Sequence, residues 1–95
     1  MARYHVIVES PLGERSGTLT LYERGVVVTG MLSLLGTDNP VTGSREGTEL
    51  SLRHTLKTCI SDLECHTQLH EAGGGLQGTV SVGVVRMPLY GTRIE

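Results

Sequence analysis

The stretch at 17–30, GTLTLYERGVVVTG, constrains the fold more than any other, because its pattern recurs 48 positions later. That shift places Leu21 on Leu69, Glu23 on Glu71, Gly25 on Gly73 and Gly30 on Gly78. Without a gap, it also places Ser33 on Ser81, Pro40 on Pro88, Gly43 on Gly91 and Arg45 on Arg93. Eight identities over 47 overlapping positions stand against roughly three expected from ordinary residue frequencies. A β-rich chain with thirteen glycines matches itself in part whatever its history. The conservative pairs carry the case for duplication: Ser10/Thr58, Leu12/Ile60, Val28/Leu76, Leu32/Val80, Leu34/Val82, Val41/Leu89 and Ser44/Thr92. Glycine and proline mark backbone geometry, so NPVTGSR aligned on MPLYGTR predicts the same turns in both halves. On this reading the chain is one domain, 1–95, made of repeats 1–47 and 49–95.

Each repeat reads as four strands. YHVIVE at 4–9 alternates as a half-buried strand does, with Tyr4, Val6 and Val8 on one face and His5, Ile7 and Glu9 on the other. SPLG at 10–13 is turn chemistry. A second strand, 16–22, puts Leu19 and Leu21 on one side and Thr18, Thr20 and Tyr22 on the other. Glu23-Arg24-Gly25 closes the hairpin. The third strand, 26–34, turns Val28, Leu32 and Leu34 inward and Val27, Thr29, Met31 and Ser33 outward. Gly30 on the inner face marks a bend or close backbone approach, the kind of corner a small barrel needs. Residues 36–40 read as a loop and 41–45 as a short fourth strand.

The second repeat follows the same plan. Leu50, Leu52, His54 and Leu56 alternate with Ser51, Arg53, Thr55 and Lys57; strands at 63–70, 76–84 and 88–94 follow, with a triple-glycine turn at 73–75. Only 51–65 leaves a helical period open. Eight short strands with polar alternate faces predict an all-β, eight-stranded antiparallel up-and-down barrel built from two similar four-stranded repeats. Closure is expected because it removes the sheet edges. An eight-stranded interior is just wide enough for side chains or for one small ligand.

The order SPLG, a polar-alternating strand, a glycine turn, an apolar strand ending in TG and a final GTR resembles the small calycin-like (lipocalin- or avidin-like) barrels of uncharacterised bacterial families. The resemblance covers most of the chain and implies an up-and-down barrel, with association through strand faces in some members. It carries over no catalytic residue. Avidins grip biotin with tryptophans, and this chain has none. The Gly-x-Trp start of the longer lipocalins is also missing.

Composition narrows the function classes. Three tyrosines are the only aromatic residues, so the core falls to Leu, Val, Ile and Met. A net charge of −2 argues against nucleic acid or an anionic membrane surface as partner, and stacking platforms for single strands are missing. The chain has no apolar run of bilayer length and no signal-peptide core, which reads as cytoplasmic. Cys59 and Cys65 make no disulfide framework and read as free thiols.

Candidate chemistry is sparse. His66 and His70 share one strand face at a separation of roughly 13 Å, too far for one metal ion. The glycine triplet is followed by no helix and no Lys-Ser/Thr pair, which excludes a phosphate loop. No metal or other cofactor is expected. His54 is the exception, an imidazole whose strand-mates all face inward. It either meets a backbone carbonyl near the mouth or orients a ligand or moves a proton. Arg45 and Arg93, equivalent under the shift, either cap the barrel end or bind a carboxylate bidentately, and Tyr4 joins them and His54 as a candidate ligand-binding residue. Three functions remain open: non-enzymatic binding of a small, largely apolar ligand in the barrel; a homodimeric interaction module using outward Ile7, Val27 and Met31; and a small cyclase or isomerase with His54 as base.

Overall fold

Period-two alternation resolves into eight strands and no helix among the described residues. A computed structural model describes every residue except Leu12, Leu35 and 58–61; at 56, 57 and 62 it describes the backbone alone. The strands are β1 (Ala2–Ser10), β2 (Gly13–Arg24), β3 (Val27–Leu34), β4 (Thr37–Glu46), β5 (Glu49–Lys57), β6 (Asp62–Ala72), β7 (Gly75–Val82) and β8 (Val85–Arg93). Each pairs antiparallel with its neighbour in sequence, and β8 pairs with β1, so the sheet closes as an up-and-down barrel. The expected fold class is the observed one.

Most strands run longer than the sequence patterns indicate, while β3 and β7 are one residue shorter. The helical period at 51–65 is not used, because β5 and β6 pair through it from Glu49–His70 to Lys57–Asp62. The first hairpin turns at Gly25 and Val26 rather than at 23–25, with Glu23 and Arg24 still paired to Val28 and Val27. Gly25 takes φ of +62° there, a conformation that side chains disfavour. Residues 37–40 are strand, not loop: Asn39 faces Leu32 and Pro40 faces Met31. Pro40 lies one residue beyond the β4–β5 ladder, which starts at Val41, so its missing N–H breaks no pairing on that side. Pro88 stands in the same relation to the β1–β8 ladder, which starts at Leu89.

The register repeats as the sequence does. A 48-residue shift carries Ala2–Leu21, Leu21–Gly30 and Gly30–Val41 onto Leu50–Leu69, Leu69–Gly78 and Gly78–Leu89, all of them facing pairs. The shift fails at the closing seam. Val41 faces His54, which would set Leu89 against Val6; Leu89 instead faces Val8. The seam is thus displaced by two residues, roughly 6–7 Å of strand.

Even-numbered residues of the odd strands and odd-numbered residues of the even strands face the lumen. Tyr4, Val6, Leu19, Leu21, Val28, Val41, Leu50, Leu52, Leu69 and Leu89 are each at most 2% exposed. Leucine and valine therefore fill the described lumen, as an interior of this width requires. Four inward glycines set its curvature. A Cβ on Gly17 would run into the carbonyl oxygen of Ser33, and one on Gly43 into that of Ser51. A Cβ on Gly30 would run into the carbonyl oxygen of Thr20, and one on Gly78 into that of Gln68. The strands cross there too closely for any side chain, which is how a narrow barrel turns its corners.

Candidate functional site

Four inward positions at one end of the barrel carry charge: Glu23 on β2, Arg45 on β4, Glu71 on β6 and Arg93 on β8. They alternate in sign around the mouth, because inward side chains of alternate strands meet at each barrel end. Arg45 reaches both carboxylates. Its Nε donates to Glu23 Oε1 and its Nη2 to Glu23 Oε2 at 3.1 Å. Nη1 and Nη2 also donate to Glu71 Oε1 and Oε2 at 3.3 and 3.1 Å, and Nη1 donates to the Gly47 carbonyl at 3.2 Å. Tyr4 completes the network by donating its hydroxyl to Glu71 Oε2 at 3.1 Å.

Arg93 stands differently. Its Nε donates to the Glu95 carbonyl at 3.0 Å. Among the described residues no side-chain carboxylate lies within ion-pair distance of its guanidinium. The displaced seam is the reason. Arg45 faces Leu50, whereas Arg93 faces Tyr4 rather than Ala2, so β1 stands two residues proud of it. Met1, Ala2, Tyr4 and Leu21 together with the four charges line a recess of about 340 Å³.

The electrostatics follow the bonds. Hydrogen bonds from Arg45, then from Tyr4, hold the Glu71 carboxyl below its ordinary value against the opposing effect of burial. Glu23 and then Glu71 raise the Arg45 guanidinium further, so it stays charged. Burial, reinforced by its bond to Glu71, raises the Tyr4 phenol. The mouth thus holds two carboxylates and two guanidiniums, and Arg93 is the one that makes no side-chain ion pair among the described residues.

The other candidates lie elsewhere. His54 is 7% exposed and sits inside the barrel between Val41 and Cys65, toward the far end. Burial depresses its pKa, so its imidazole is neutral at pH 7. It therefore shares no site with Tyr4, Arg45 and Arg93. His66 and His70 take the outer face as expected, bonding Ser51 Oγ and Glu49 Oε1, each at 2.8 Å. No group of metal ligands occurs among the described residues. Cys65 is buried, its Sγ donating to the Leu63 carbonyl at 3.7 Å; Cys59, read as a free thiol, and Leu56, read as inward, fall outside the described side chains.

Val27 and Met31 are exposed on β3 at 55% and 37%. Ile7 is half-buried and faces Ser16 and Tyr90, so β2 separates it from them and the three do not form one patch. Val27 faces Arg24 and Ser44 instead, and Met31 faces Thr20 and Pro40. Sequence patterning missed Glu23 and Glu71. Both were visible as an identity under the shift, but their inward orientation depends on where the hairpin turns. No helix is long and apolar enough to cross a membrane among the described residues. No protein-family model matches this chain, and no curated protein matches it.

Proposed function

We propose that this chain is a non-enzymatic binding barrel whose ligand sits at the Tyr4–Arg93 mouth rather than deep in the lumen. The ligand is a small carboxylate with a short apolar tail. The observation that carries this reading is the contrast between the two arginines. Arg45 is saturated by Glu23 and Glu71, while Arg93, in the same recess, makes no ion pair with either of them. A guanidinium offers paired donors that fit a carboxylate, and Met1, Ala2 and Leu21 supply the apolar wall for the tail. The leucine and valine side chains that fill the described lumen favour the mouth over the interior as ligand space. The family reading that accompanies this proposal is a calycin-like barrel made of two copies of a 48-residue unit, supported by the three matching ladders.

The test is a titration with acetate, butyrate and octanoate, followed by backbone amide shifts. Saturable shifts confined to the residues around Tyr4, Glu71 and Arg93, weakened at least about tenfold in Arg93→Ala, support the reading. Equal binding to wild type and Arg93→Ala sinks it.

A second reading is self-association through the outer face of β2, β3 and β4. It is favoured by a stripe of Thr20, Tyr22, Val27, Thr29, Met31, Pro40 and Thr42, bordered by Arg24 beside Val27, of which Tyr22 and Val27 are more than half exposed.

A further inference from the structure

Two polar side chains inside the barrel have no partner. His54 Nδ1 and Thr67 Oγ1 are buried and accept or donate no hydrogen bond. His54 is 7% and Thr67 3% exposed, so bulk water does not reach either group freely. Orphaned polar atoms at such depth are rare in folded proteins, because each forfeits its bonds to water without replacement. Two of them on facing strands call for a common explanation.

The register supplies one. On β5 and β6, Thr67 faces Leu52 and His54 faces Cys65. His54 and Thr67 are therefore diagonal neighbours on the same inward face, with Cα atoms roughly 7–8 Å apart. No direct bond joins the imidazole nitrogen and the threonine hydroxyl across that spacing. The spacing suits one water-sized molecule that bonds both. The surroundings isolate the pair. Leu52 and Val80 flank Thr67, Val41 lies opposite His54, and all three are buried and apolar. Asn39, the other buried polar residue nearby in the lumen, already donates to the carbonyls of Leu32 and Thr37, both at 3.3 Å.

We propose that His54 Nδ1 and Thr67 Oγ1 form an internal hydration site that holds one ordered water bridging β5 to β6. A buried water ordinarily makes two to four bonds and is costly to remove, and these two groups provide the minimum. The site is separate from the mouth recess, so it stands or falls independently of the ligand proposed there.

Removal of the threonine hydroxyl at constant shape gives opposite signs for the two cases. If the water is present, Thr67→Val strands it against His54 and lowers Tm by about 4–8 °C. Thr67→Ser, which keeps the hydroxyl, retains the water. The double variant Thr67→Val/His54→Leu then loses less than the sum of its two single variants. Water-oxygen relaxation dispersion on the wild type counts long-lived internal waters without any substitution. The proposal expects one more such water in wild type than in the double variant. A Tm that rises or stays level in Thr67→Val, or an unchanged count of long-lived waters, overturns it.

Discussion

The two halves of this barrel share three ladders, the Gly30 and Gly78 corners and their four mouth charges, yet they treat equivalent residues differently. Arg45 is clasped by Glu23 and Glu71, and Arg93 bonds only the Glu95 carbonyl through its Nε. The side chains are identical, so the difference lies in the backbone. Three ladders obey the 48-residue shift and the seam between β8 and β1 does not. A closed barrel has to accommodate its register mismatch somewhere, and here the displacement falls where the chain's two ends meet. Like sequence thus yields an ion-pair lock on one side of the mouth and a guanidinium outside that lock on the other.

The largest effect tests what the halves share. Gly30→Ala and Gly78→Ala each force a Cβ against a backbone carbonyl. Each substitution is expected to cost about 3 kcal/mol in urea unfolding, and the two costs should agree. A large gap between them breaks the equivalence of the halves. Next, the arginines should separate. Arg45→Ala leaves Glu23 and Glu71 without their shared cation and is expected to lose about 1–2 kcal/mol. Arg93→Ala should stay within about 0.5 kcal/mol of wild type while losing carboxylate binding. Equal losses would mean that Arg93 is locked as well.

Titration sharpens the contrast. The Glu71 pKa is depressed in the fold, so its contribution to stability is present above pH ~4.5 and is lost as pH falls through the folded value. That loss should shrink most in Arg45→Ala and less in Arg93→Ala, since the Arg93 charge also lowers Glu71. His54 is also depressed, by burial; the unfolded chain binds its proton first, so stability declines as pH falls below ~6.5. His54→Leu should flatten the curve between pH 6.5 and the onset of carboxylate protonation, as read by thermal melts across pH. The smallest effect concerns the outer face. Val27→Lys should leave monomer stability within about 0.5 kcal/mol. Sedimentation would detect loss of self-association if the stripe pairs two copies.

Strand identity was readable from single residues, and site geometry was not. Val28, Leu32 and Leu34 alternate with Thr29, Met31 and Ser33, and that pattern alone orients β3. It also orients His54 toward the lumen. Asn39 and Pro40 obscure the start of β4, because both are turn residues by composition while the ladder with β3 supplies the bonds that keep them extended. Glu23 was assigned to a turn for the same reason. Moving that turn by one residue makes it an inward strand residue and the first member of the mouth network.

By itself the sequence determined the all-β class, the number of strands, their faces and their neighbours, because period-two alternation and glycine turns are local properties of the chain. Closure was predictable on physical grounds, since it removes exposed edges. Tertiary structure alone decided the register at the seam, because the β8–β1 ladder joins residues at opposite ends of the chain with no turn to fix their pairing. From that register follow the proud start of β1, the recess beside Arg93 and the choice of Arg45 as the arginine that holds both carboxylates.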